Sequence, residues 1–183
     1  VSWVLNMTVD ADYERLDPSR HLLSVAGQLQ LDDRGIAMMT AVNINNRRTA
    51  EAGGVTACAT VGVSRPVWAA TFEDVDHRHS GPGTINLVVQ VPARLSDAAL
   101  VNVVSTATEA KVQALLDHGI AGTGTASDAV AVLCATRGTA ELFGGPRSTW
   151  GCRVAQAVYS ATAAGLWLSE DDAGFVGGEP ARR

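Results

Sequence analysis

Residues 84–91 read TINLVVQV, Pro92 follows, and residues 96–117 read SDAALVNVVSTATEAKVQALLD. In the first segment Ile85, Leu87, Val89 and Val91 share one face and Thr84, Asn86, Val88 and Gln90 the other, the period of a β-strand. Pro92 lacks the N–H that a ladder needs and ends the strand. The second segment opens on a good N-cap, Ser96, carries Asp97 in its first turn and meets Gly119 as a stop. A helix over Ser96–Asp117 follows. A strand running into a long helix predicts a layered fold, with helices packed on a sheet.

The flanking sequence extends this pattern. Val55–Val63 alternates Val55, Ala57, Ala59 and Val61 against Thr56, Cys58 and Thr60, a further strand. Strands are also predicted over Trp3–Thr8, over Gly35–Val42 with Ile36, Met38 and Thr40 on one face, and over Ala129–Ala135. The last is a continuous apolar run, expected to be buried on both faces. Helices are predicted over Ser19–Leu29, with Asp17 or Ser19 capping around Pro18, and over Thr149–Leu168. Asn43–Gly54 and Thr71–Gly83 read as loops, the second acidic and holding His77 and His79. Residues 1–168 are expected to form one domain and residues 169–183, polar and glycine-rich, a flexible tail. The mixed order of elements favours a single-domain α+β fold with mixed β-sheet layers packed against helices.

The chain has 183 residues and a formal net charge of −5; 46% are hydrophobic and 18% charged, which suits one compact domain and excludes disorder. Its basic residues are scattered, so nucleic acid is not an expected partner. No apolar run approaches the ~20 residues that span a bilayer, so no membrane association is expected. Val1–Leu5 turns polar at Asn6 without the charged and apolar regions of a signal peptide. Cys58, Cys134 and Cys152 are odd in number and widely spaced, as reduced thiols in a cytoplasmic protein would be.

The long helix holds the sharpest chemical anomaly. Leu100, Val104, Ala107, Ala114 and Leu115 form one stripe at helical spacing, and Lys111 falls in its middle. Such a lysine either snorkels to the surface or delivers a cation into a pocket. Asn102, Ser105 and Glu109 mark the opposite face, so Glu109 and Lys111 are not a pair. On the strand before it, Thr84 and Asn86 share a polar face that either lines a cleft or meets solvent. The loop Gly122-Thr123-Gly124-Thr125-Ala126-Ser127-Asp128 has glycines that allow close backbone approach and N–H groups able to form an anion nest. It is neither a P-loop nor a dinucleotide fingerprint, because no Lys-Ser/Thr follows and it precedes a strand. Before the last helix, Ser148 is placed to cap and Arg147 to reach an anionic or amide-bearing ligand. Asn43, Asn45 and Asn46 with Arg47 and Arg48 make another polar loop. No zinc is expected, since His77 and His79 lack a matching ligand set and His21 and His118 are isolated.

Pro82-Gly83-Thr84-Ile85-Asn86-Leu87, Leu95-Ser96-Asp97-Ala98-Ala99 and Thr106-Ala107-Thr108-Glu109-Ala110-Lys111 stand in this order. Together they resemble the adenosylcobinamide amidohydrolases of the CbiZ type, with their GTIN strand and TATEAK helix. Gly122–Ala129 is similar to that family's GTGTDA-like loop, with Ser127 inserted before Asp128, and the likeness runs from about Asn6 to Leu168.

The resemblance implies hydrolysis of the aminopropanol amide of adenosylcobinamide to adenosylcobyric acid, within corrinoid salvage. The partner implied is a corrinoid small molecule, with no separate cofactor; assembly as a homo-oligomer is left open. Amide hydrolysis needs activated water, donors for the oxyanion and a proton for the departing amine. Asp128 or Glu109 would activate water, Lys111 would stabilise charge or protonate the amine, and Thr123, Thr125 and the loop N–H groups would face the oxyanion. Thr84, Asn86, Asn43, Arg147 and Ser148 would bind substrate. The alternative is a corrinoid-binding or regulatory domain of the same fold without turnover. With no ligand set at recognisable spacing, treatment with a chelator is expected to leave turnover of adenosylcobinamide unchanged. Loss of activity restored by added zinc would overturn that expectation.

Overall fold

The computed structural model describes residues 1–10, 12–71 and 83–173. His77, His79 and the loop around them lie outside the described residues, as do residues 174–183. Among the described residues, six strands and three helices follow in the order β1 (Trp3–Thr8), α1 (Pro18–Gln28), β2 (Gly35–Thr40), β3 (Arg48–Ala52), β4 (Val55–Gly62), β5 (Thr84–Val91), α2 (Asp97–Asp117), β6 (Ala129–Cys134) and α3 (Thr149–Ala173). The α+β fold expected from the sequence is the fold observed.

Four strands make the main sheet in the order β3-β4-β5-β6, with β3/β4 and β4/β5 antiparallel and β5/β6 parallel. The parallel pair is joined by α2, the crossover that parallel neighbours require. One face of the sheet presents Val55, Ala57, Ala59 and Val61 of β4 and Ile85, Leu87, Val89 and Val91 of β5, all buried. Helices α2 and α3 lie side by side on this face, α2 over β6 and α3 over β3 and β4. Thr106 Oγ1 donates to Gly144 O at one end of the pair and Tyr159 Oη to Asp117 at the other. That second bond pushes the Tyr159 phenol above its ordinary pKa.

On the opposite face, β1 and β2 pair in parallel around α1 and dock through polar contacts. Asn86 Nδ2 donates to Asn6 Oδ1 at 2.9 Å and to Met39 O at 2.7 Å, and Asn6 Nδ2 donates to Thr60 Oγ1 at 3.1 Å. Asn86 and Thr60 are themselves neighbours in the β4/β5 register. The polar face read from residues 84–90 is therefore a seam between two sheets around Asn86, and only Gln90 at its far end is exposed.

Several expectations are corrected. Asn43–Gly54 is not a plain loop: a 3₁₀ turn over Ile44–Asn46 leads into β3, which returns through Gly53-Gly54 to β4. Both glycines have positive φ, +53° and +86°, as a two-residue hairpin demands. The β6 run is not buried on both faces; only Ala131 is fully buried, because β6 is the edge of the sheet. Strand β2 ends at Thr40 rather than Val42, and α3 continues past Leu168 to Ala173. Finally, the buried face of α2 is Ala99, Val103, Thr106, Ala107, Ala110, Lys111, Ala114 and Leu115. Leu100 is half-buried and Val104 is exposed, so the face is turned by roughly 60° from the predicted stripe. Small residues won: alanines let the helix approach sheet and α3 closely, and Thr106 is admitted because Gly144 O accepts its proton.

The seam yields a stability prediction. Asn86→Ala strands the acceptors on Asn6 and Met39, and the denaturation midpoint is expected to fall by the equivalent of about 1–3 kcal/mol. A variant as stable as the parent would show that the two sheets hold together without it.

Candidate active site

Helix α2 runs back from the end of β5 toward its start, so Lys111, near the helix C-terminus, arrives where β5 and β6 begin. It sits on the inward face and is 6% exposed, which excludes a surface lysine. A buried ammonium requires a counter-charge. Asp128, the residue before β6, supplies it, with Lys111 Nζ 2.5 Å from Asp128 Oδ2.

Asp128 is held by more than the lysine. Its Oδ2 also accepts from Thr125 N at 3.2 Å, while Oδ1 accepts from Ile85 N at 2.9 Å and lies 2.5 Å from Thr125 Oγ1. Four donors thus converge on one carboxylate, close to its full accepting capacity. Thr125 Oγ1 also approaches Gly83 O at 2.8 Å. Beside it, Thr84 Oγ1 and Ser127 Oγ are 2.8 Å apart, and Ser127 is exposed. Gly124 closes the pair from the loop side: a Cβ there would meet Lys111 Nζ at 2.6 Å and Asp128 Oδ2 closer still.

The loop is braced from outside. Val67 N donates to Gly124 O at 2.8 Å, Thr123 N donates to Val67 O at 2.9 Å, and Ala69 N donates to Thr123 Oγ1 at 2.9 Å. Gly122 N donates to Ile120 O. The N–H groups of Gly122, Thr123 and Thr125 are therefore committed within the protein, and Gly124 serves the close approach of the loop to the ion pair.

Of the residues expected at one site, the structure gathers Lys111, Asp128, Thr125 and Thr84. It places the others elsewhere. Glu109 is exposed on the far side of α2, in an open cleft with Val112, Gln113 and Leu116. Asn86 lies in the inter-sheet seam, and Thr123 braces the 67–69 segment. Asn43 Oδ1 accepts from Asn45 N in the 3₁₀ turn. Ser148 caps α3, accepting from Gly151 N at 3.0 Å, and exposed Arg147 lines a second open cleft with Asn102 and Phe143. Ser127 joins the site although residue pattern alone did not single it out; its place directly before Asp128 was the available signal. Among the described residues no cluster of three His, Cys, Asp or Glu gathers in one place.

The family model for adenosylcobinamide amidohydrolase matches residues 1–173. The chain belongs to the adenosylcobinamide amidohydrolase family. A family relative named adenosylcobinamide amidohydrolase from Halobacterium salinarum is 36% identical over 149 residues, covering 79% of this chain and 63% of the relative. One of the same name from Methanosarcina mazei is 29% identical over 177 residues, covering 92% of this chain and 84% of the relative. The chain thus spans less than two thirds of the Halobacterium protein's length. No solved structure matches this adenosylcobinamide amidohydrolase family chain.

The asymmetry of the ion pair is testable by unfolding. Asp128→Ala leaves the Lys111 ammonium buried alone and strands Ile85 N and Thr125 N, a loss of about 3–5 kcal/mol. Lys111→Met keeps three donors on Asp128 and is expected to cost clearly less in a denaturant titration. Equal losses would mean the carboxylate does not organise the site.

Proposed function

We propose that this chain hydrolyses the amide joining aminopropanol to the corrin side chain of adenosylcobinamide, releasing adenosylcobyric acid and aminopropanol for corrinoid salvage. The observation that carries this reading is the buried Lys111–Asp128 pair with an exposed hydroxyl, Ser127, adjoining it. Family membership and the names of both relatives support the reaction class. A cytoplasmic location accords with the three free cysteines, and among the described residues no helix is long and apolar enough to cross a membrane.

Each group has a distinct part. Lys111 spends one N–H on Asp128, and among the described residues no other acceptor bonds it, so two remain for the substrate. Those N–H groups face the carbonyl oxygen as it becomes an oxyanion, in a site of low dielectric where a fixed charge acts strongly. Asp128 is a positioning residue, because its oxygens are already occupied by four donors. The Thr84 and Ser127 hydroxyls hold the amide and the attacking water. As the C–N bond breaks, the Ser127 and Thr84 hydroxyls relay the proton that the water sheds to the amine nitrogen, giving the carboxylic acid and the free amine, while Lys111 keeps its charge on the oxyanion.

Incubation with adenosylcobinamide, followed by chromatography, is expected to show adenosylcobyric acid. Lys111→Met, which keeps the stem and removes the charge, is expected to lower turnover by about 10²-fold or more with the fold intact. Substrate that binds and stays whole would instead leave a corrinoid-binding domain, and a fully active Met variant would remove Lys111 from the mechanism.

A further inference from the structure

Trp68 stands out among the described tryptophans. Trp3 is half-buried and donates its Nε1–H to Asp32, and Trp150 is half-buried beneath the Arg153 guanidinium. Trp68 is 50% exposed. A single exposed apolar side chain is ordinary on a protein surface. The setting of this one is not, because the backbone on both sides of it is fixed. Val67 exchanges two hydrogen bonds with the 123–124 loop, and Ala69 N donates to Thr123 Oγ1. Pro66 and Val67 also pack so tightly on Gly122 that a Cβ there would meet Pro66 Cβ at 2.9 Å and Val67 N at 3.0 Å.

That loop is the one that closes over the ion pair. Val67 bridges to Gly124, and Gly124 lies directly against Lys111 Nζ and Asp128. One bridge and one residue along the chain put the Trp68 Cα within about 10 Å of the Gly124 Cα. Ala69 and Ala70, next in sequence, are small and exposed. A large flat apolar side chain thus projects from a fixed stretch of backbone close to the proposed reacting groups. The backbone beneath it needs no ordering when a ligand arrives.

We propose that Trp68 is a substrate-binding residue: its indole is the platform on which a planar conjugated part of the corrinoid lies while the amide reaches Lys111. This rests on the corrinoid reading above. The chemistry recognised is a flat π-surface, which the substrate offers both in its corrin ring and in its adenine. Stacking of this kind is sequestering rather than catalytic, so it acts on binding and not on the chemical step.

The test measures binding by calorimetry, with and without turnover. Trp68→Ala is expected to raise the Kd for adenosylcobinamide by about tenfold or more, within the range of aromatic stacking on a base. Trp68→Phe is expected to restore most of the affinity, and kcat at saturation to stay within about threefold of the parent. Cobinamide without its adenosyl group separates the two sources: an equal loss for both ligands puts the corrin ring on Trp68, a loss confined to the adenosylated one puts the adenine there. Unchanged Kd values for Trp68→Ala with both ligands overturn the proposal. A second measurement needs no destabilising change. In 5-fluorotryptophan-labelled parent protein, the ¹⁹F resonance missing from Trp68→Phe is expected to shift on adding adenosylcobinamide, and a resonance that stays put also overturns it. A chain that binds through Trp68 but does not hydrolyse would sink the hydrolase reading alone.

Discussion

The rest of the structure depends on keeping a lysine ammonium out of water. Charge buried at Lys111 is tolerable only with a close counter-charge whose own oxygens are satisfied, and that requirement draws four segments to one point. Helix α2 supplies the ammonium, the turn into β6 supplies Asp128, the first residues of β5 supply Ile85 N, and the 124–125 loop supplies Thr125. Each segment is fixed by what it gives to the carboxylate. The parallel β5/β6 pair and its α2 crossover are thereby locked at their shared end, where the proposed chemistry is also located.

What lets these segments meet is the smallness of the core. Ala57, Ala59, Ala99, Ala107, Ala110, Ala114, Ala157 and Ala161 are all buried between the sheet and the two helices. A core of larger residues would hold α2 further from β5 and put Asp128 beyond the reach of Lys111. Gly124 extends the same economy of volume to the loop, since the pair occupies the space a Cβ would need. The low aromatic content and the position of the ion pair are thus two consequences of one packing choice. Among the residues whose burial is described, aromatic side chains are left for edges and surfaces, Trp68 among them.

The two faces of the main sheet are joined by different physics. Toward α2 and α3 the contact is apolar and non-directional. Toward β1 and β2 it is directional, through Asn6, Asn86, Thr60 and Met39 O. Hydrogen bonds of that kind specify one arrangement of the two sheets where apolar packing alone would permit several. Asn86, adjacent in sequence to a residue that bonds Asp128, links this specified seam to the ion pair through one strand.

The sequence by itself determined the α+β class, β4 and β5, the start of α2 at Ser96 and the cap at Ser148, because period and capping chemistry are local properties. It also carried the family resemblance, in motifs ordered along one chain. Only the tertiary structure decided that Lys111 turns inward to meet Asp128, that Asn86 serves a seam, and that Ser127 rather than Thr123 adjoins the pair. The hairpin at Gly53-Gly54 was legible in principle, but the short polar β3 becomes a strand only through its pairing with β4. The rotation of α2 was not legible: a hydrophobic stripe weights Leu and Val above Ala, whereas close packing against a sheet selects the smallest side chains. Partners distant in sequence, such as Lys111 and Asp128 or Val67 and Gly124, are brought together by the crossover and the loop bridge, and no local pattern encodes a contact that exists only once the sheet has formed.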